Sequence, residues 1–134
     1  MRVMLPVVLG VSVLAGAAAA AKPPLSDVPE IENKLFAAAV GWEISEICED
    51  IAARKMKALG QAWELKARAN ELGYSNDEIK TYMKSKEQKK RMRAKGEAYL
   101  KSQGAIYGQP ETFCVVGRAE IAKKSAIGAL LRAK

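Results

Sequence analysis

The sequence predicts an all-α protein: a compact bundle of four to five helices tied by one disulfide, preceded by an N-terminal signal peptide. Three observations carry that expectation. Apolar residues recur at three- and four-residue steps over most of the chain beyond residue 29, and no segment alternates as a strand would. The breaks between these stretches are short and carry helix stop and start chemistry. Cysteine occurs twice, at Cys48 and Cys114, each on an apolar helical face and far apart in the chain. A length of 134 residues, with 49% hydrophobic and 28% charged side chains, fits a single globular domain.

Residues 1–21 have one positive charge at Arg2, an apolar run from Val3 to Leu14 and then a ladder of small residues ending in Ala19, Ala20 and Ala21. This is the layout of a secretory signal peptide, with cleavage expected near Ala21. An uncleaved anchor is the alternative, because Val3 to Ala21 is just long enough to cross a bilayer, although its last third is weakly hydrophobic alanine. Export to a periplasmic or secreted location makes a Cys48–Cys114 disulfide the expected state of the two sulfurs.

Residues 22–29 hold three prolines and read as an extended leader; residues 30–134 form the single helical domain. A first helix is expected from Glu30 to about Ile51, with Leu35, Val40, Ile44, Ile47, Cys48 and Ile51 on its inner stripe and Glu43, Glu46, Glu49 and Asp50 opposite. A second, Ala53 to Leu72, is expected to place Met56, Leu59, Trp63, Leu65, Ala69 and Leu72 on one broad face. Gly73 should stop it in a left-handed conformation, with Tyr74 packing back on the last turn. Ser75 and Glu78 form a capping box, so a third helix starts at once, with Ile79, Tyr82 and Met83 inward. Ser85 repeats the signature with Gln88, which breaks the chain into another helix reaching about Gln103, with Met92, Gly96, Tyr99 and Leu100 inside. After a glycine-containing loop from Gly104 to Gln109, Pro110 suits the first position of a last helix carrying Phe113, Cys114, Val116, Ile121, Ile127, Leu130 and Leu131. Gly117, Ser125 and Gly128 thin one of its faces and allow close approach of a neighbour.

The chain has no histidine. That excludes imidazole-based nucleophile systems and imidazole metal ligands, and two cysteines are too few for a structural zinc site or an iron–sulfur cluster. No catalytic residue, metal ligand or cofactor is predicted. The acidic face of the first helix reads as a solvated surface rather than a catalytic pair or a cation site. Lysine and arginine number 22 against 15 acidic residues, a formal +7. The charge is unevenly divided: residues 22–53 carry a net −5 and residues 54–134 a net +11. The run Lys86, Lys89, Lys90, Arg91, Arg93 and Lys95 is a candidate contact surface for an anionic membrane or an acidic protein; its bland reading is a solubilising helix. Export and the lack of interleaved aromatics argue against nucleic acid. Trp42 and Trp63 are expected in or near the core, and Tyr107 in the glycine loop is a candidate exposed contact.

Three stretches, Gly73-Tyr74-Ser75 through Glu78-Ile79, Arg91-Met92-Arg93-Ala94 through Glu97-Ala98-Tyr99-Leu100, and Phe113-Cys114-Val115-Val116-Gly117-Arg118-Ala119-Glu120-Ile121-Ala122, together with Cys48 and Arg54, resemble an uncharacterised family of small exported two-cysteine helical proteins of alphaproteobacteria, a domain of unknown function. Some of its members are named after, or encoded near, subunits of NADH-quinone oxidoreductase. The resemblance supports the cysteine pair and the helical layout and implies no catalytic residue; the chain has no flavin, quinone or cluster motif.

If the disulfide forms, it should bring Arg54, Arg118, Glu49 and Glu120 near one another, as a structural ion pair or as the floor of a small pocket. The resulting expectation is an exported, non-catalytic binding or accessory protein that contacts a protein partner or envelope component. The alternative is a peripheral protein that binds anionic lipid through the basic helix 86–101. A carboxylate-based hydrolase comes third, because no acidic residue has a distinctive local setting.

Overall fold

The computed structural model describes residues 22–134; the expected signal peptide, residues 1–21, and its cleavage point lie outside the described residues. Among the described residues there are α1 (Pro29–Ile47), β1 (Ile51–Ala53), α2 (Lys55–Glu71), α3 (Asn76–Lys84), α4 (Lys86–Ser102), α5 (Pro110–Lys123) and β2 (Leu131–Ala133), with 3₁₀ turns at Leu25–Asp27 and Gly128–Leu130. The bundle is helical as expected, and the Cys48–Cys114 disulfide is formed across a Cα–Cα distance of 5.2 Å. It fastens the end of α1 to the first turns of α5. No described helix is long and apolar enough to cross a membrane.

Local chemistry sets several boundaries where the sequence placed them. Pro29 and Pro110 open α1 and α5. Gly73 adopts φ +94°, and the Tyr74 amide returns to the Ala69 carbonyl at 3.0 Å. At the start of α3 the Glu78 amide donates to Ser75 Oγ at 3.1 Å and the Ser75 amide to Glu78 Oε2 at 2.6 Å, which completes the capping box. Ser85 ends α3 and caps α4, accepting from the Gln88 amide at 3.2 Å.

Four expectations are corrected. The first helix stops at Ile47, not Ile51, because Glu46, Glu49 and Asp50 crowd the negative end of the helix dipole with no basic residue in its last turn. The last helix stops at Lys123, where Lys124 turns left-handed at φ 52°. The chain ends released in this way pair as an antiparallel two-stranded sheet, with Ile51 opposite Ala133 and Ala53 opposite Leu131. Strands of three residues are too short to show alternation, so no sequence pattern announced them. The residue 22–29 leader is partly 3₁₀ and docks: Leu25 is buried, and Lys22 reaches Glu78 at 2.9 Å and the Gly73 carbonyl at 2.7 Å.

The fourth correction concerns α2. Each helical residue advances about 100°, so Leu65, Ala69 and Leu72 lie on the side opposite Met56 and Trp63 rather than on a shared face. The first set packs inward, while Met56, Leu59 and Trp63 are exposed.

The buried residues fall into two clusters. The larger joins Val40, Ile44, Cys48, Ile51, Leu100, Phe113, Cys114, Val116, Ile127 and Leu131 with neighbouring alanines. Gly117 sits at its tightest point, where an added Cβ would lie 2.5 Å from Ile51 Cδ1 and 2.8 Å from Ile44 Cγ2. The smaller joins Leu25, Ile31, Ala69 and Tyr74 beneath the leader, α2 and α3.

Candidate functional site

Where α1 and α4 run together, the contact is made through small residues: a Cβ on Gly96 would meet Val40 Cγ2 at 3.5 Å. Along this contact lies a groove of about 490 Å3, lined by Ala38 and Ala39 of α1, Gly96 of α4 and residues of α3. Leu35, Trp42, Met83 and Met92 supply larger apolar walls, and Trp42 and Met83 are each about half exposed, at 51% and 50%. Lys89 and Arg93 contribute cations, and Glu43 and Glu97 contribute carboxylates. Tyr107 lies beside the carboxylates and donates from its hydroxyl to Glu43 Oε1 at 3.2 Å. Burial, the Glu43 charge and that hydrogen bond push the Tyr107 phenol up to about 12, so it stays protonated as a donor. The groove thus combines apolar side chains with charges of both signs in its lining.

Two carboxylates are buried, and both are fully engaged. Glu32 takes a forked pair of bonds from Arg91, Nη1 to Oε1 at 2.7 Å and Nη2 to Oε2 at 3.0 Å, with the Tyr82 hydroxyl at 3.3 Å and Lys95 Nζ at 3.4 Å. Burial pushes its acidity down, but the Arg91 and Lys95 bonds and charges outweigh this and leave the pKa below the ordinary value. Glu120 accepts from the Tyr99 and Ser125 hydroxyls and from Lys123 Nζ at 3.2 Å. Here too burial opposes ionisation and the three donors prevail, so its pKa is lowered. The Tyr99 phenol is pushed up to about 12 by burial and by Glu120. Ser125 Oγ also accepts from the Gly128 amide at 3.0 Å, so this carboxylate anchors the turn that follows α5.

The four polar residues expected beside the disulfide do not assemble. Arg118 pairs with Glu111 at 3.0 Å and Asp50 at 3.6 Å instead of Glu49 or Glu120. Two residues apart on a helix means about 200° of rotation, so Arg118 points to solvent and Glu120 to the core. Glu49 and Arg54 are exposed, and Arg54 contributes its amide to the Leu130 carbonyl at 2.7 Å. Ligand atoms of Asp50, Glu111 and Cys114 lie within 4.8 Å of one another, but the sulfur is in the disulfide and the Arg118 guanidinium already pairs with both carboxylates.

The basic run on α4 divides. Arg91 and Lys95 turn to Glu32, whereas Lys86, Lys89, Lys90 and Arg93 are exposed and in no ion pair among the described residues. Trp42 and Trp63, expected in the core or half-buried, are outside the core, 51% and 62% exposed; Tyr107 is exposed as expected, at 40%. Sequence reasoning missed Glu32, Tyr82, Tyr99 and Ser125. No spacing within one helix signals the Arg91–Glu32 and Tyr99–Glu120 contacts, which join residues 59 and 21 positions apart in the chain.

A model described as a family of unknown function (DUF5333) matches residues 23–132. No curated protein and no solved structure matches the chain.

Proposed function

The chain belongs to this family of unknown function, and from its geometry we propose that it is an exported, non-catalytic binding protein that seats an apolar segment of a protein partner in the groove between α1 and α4. The observation that carries this reading is the groove, with Trp42 and Met83 presented to solvent and Met92 half-buried beside a floor of small residues. Helical or extended partner segments dock in such grooves through spaced apolar anchors. Lys89 and Arg93, set against Glu43 and Glu97, would fix the direction of a segment carrying charges of opposite order. Acid–base catalysis has little support: each buried carboxylate is committed to hydroxyl and cationic partners, which keeps it ionised and structural.

Export is supported by the signal-like pattern of residues 1–21 and by the disulfide, a bond that persists in oxidising compartments. The finer placement, a small exported alphaproteobacterial protein with relatives named after NADH-quinone oxidoreductase subunits, belongs to the same proposal and would set the partner in the cell envelope. No cofactor or metal takes part. On the basic helix 86–101, four of the six flagged cations remain for an anionic surface once Glu32 has engaged Arg91 and Lys95.

The test is site-specific photocrosslinking in the native host. A photoreactive residue at Met92 should give one discrete adduct, and one at Asn33, on the outer side of α1, should give none. Ala39→Trp, which fills the groove, should abolish the adduct while leaving the melting temperature within a few degrees, about the effect of 1 kcal/mol. The same adduct from Asn33, or an adduct indifferent to Ala39→Trp, refutes the groove.

A further inference from the structure

α2 packs on the molecule by one side. Leu65 and Leu72 pack against the smaller core with Ala69, while Met56, Leu59 and Trp63 stand 79%, 50% and 62% exposed at three- and four-residue spacing along the other side. Cations surround this stripe. Arg54, Lys55, Lys57, Arg132 and Lys134 line a hollow that includes Met56, with Glu46 as its one acidic member. Further along, Lys66 Nζ lies 5.5 Å from the centroid of the Trp63 ring. None of these six cations is in an ion pair among the described residues. The first turn of α2 has no acidic residue, so its lysines crowd the positive end of the helix dipole without local compensation.

We propose that this face of α2 lies on the surface of an anionic lipid bilayer, with Met56, Leu59 and Trp63 entering the headgroup boundary and the surrounding cations meeting lipid phosphates. Three features select lipid. A second copy placed on this face would set cation against cation, which opposes association. The three apolar side chains lie along one side of a single helix over two turns, so all three can meet one plane at once. Tryptophan and aliphatic residues flanked by lysine are the composition of helices that lie in a membrane interface. This surface adjoins the α1–α4 groove at Trp42, which lines both, but the α2 stripe itself lies outside the groove and the inference does not rest on the groove being occupied.

The experiment uses the purified oxidised chain, residues 22–134, in a Trp42→Phe background so that Trp63 alone reports. With vesicles of phosphatidylcholine and phosphatidylglycerol at low salt, the protein should co-sediment and the Trp63 emission should shift to the blue. Phosphatidylcholine alone should bind about tenfold more weakly or not at all, and added salt should release the protein. Met56→Ser with Trp63→Ser, or Lys55→Glu with Lys57→Glu, should weaken sedimentation about tenfold while circular dichroism stays unchanged. Equal binding to neutral vesicles, or no binding at low salt, overturns the proposal. So does binding that ignores the α2 variants and is lost on Lys89→Glu with Arg93→Glu, or a dimer in ultracentrifugation that the α2 variants dissolve.

Discussion

The two cores of the molecule are held by different means. Around the disulfide, Val40, Ile44, Cys48, Leu100 and Phe113 are all but sealed from water, and the chain is fixed by a covalent bond, a small sheet and the Glu120 anchor. Beneath the leader, α2 and α3, only four residues are buried, none of them completely, and much of the attachment is polar: Lys22 to Glu78, Arg68 to Glu30 and Arg91 to Glu32. The first two pairs are exposed and contribute little, which leaves Arg91 on the buried Glu32 as the principal polar tie, so the second region rests on less than the first. Regions with few buried contacts open first. Both candidate surfaces border the weaker core: Met83 of α3 walls the groove, and the stripe of α2 lies on the outer side of the helix that covers it. The contrast teaches that a rigid half can serve as scaffold while the tethered half adjusts to what binds.

The contrast can be broken most forcefully at Gly128. A Cβ there would lie 2.0 Å from the Glu120 carbonyl oxygen, a backbone atom with no room to yield. Gly128→Ala should cost about 4–5 kcal/mol or prevent folding, measured by urea titration. Next comes the disulfide: it closes a separation of 66 residues, and Cys48→Ala with Cys114→Ala should cost about 4 kcal/mol by loop-closure entropy while leaving the helical spectrum intact. A loss confined to α2 and α3 would reverse the ranking of the two cores.

The buried carboxylates sharpen the comparison with smaller effects. Glu120→Gln should cost about 2 kcal/mol, because two hydroxyls are aimed at a buried anion; Glu32→Gln should cost about 1 kcal/mol, since water reaches Arg91 and screens the pair. Both carboxyls titrate below their ordinary value, so their stabilisation is complete above the ordinary carboxylate range and is lost as the pH falls through the lowered values. Urea midpoints of the two variants should therefore fall less steeply on acidification than that of the parent; parallel slopes would show that neither group is linked to folding.

Much of the scaffold was legible because its signals are local. Ser75 with Glu78, Ser85 with Gln88, Gly73, Pro29 and Pro110 each act within a turn or two of the chain, and each appears where residue chemistry placed it. The disulfide followed from the cysteine count and the expectation of export. What stayed hidden depends on tertiary contacts. Ile51 and Leu131 look like continuations of helical stripes, and only their pairing across the molecule makes them strand. The apolar residues of α2 read as one face until rotation along the helix is counted. Glu120 was singled out, but its partners Tyr99 and Ser125 come from α4 and from the turn after α5, which no spacing links to it. The groove lies along the contact of α1 and α4, and Ala38, Ala39 and Gly96 carry no mark that tells a floor from a close contact.

Native-state hydrogen exchange, read amide by amide, tests the central claim of two unequally held regions most directly. Amides around Ile44 in α1 and Val116 in α5 should exchange only through global unfolding, whereas those of α2 and α3 should exchange at lower free energy and respond first to loss of the Glu32–Arg91 pair. Uniform protection across both regions, or earlier opening of α5, would contradict the account.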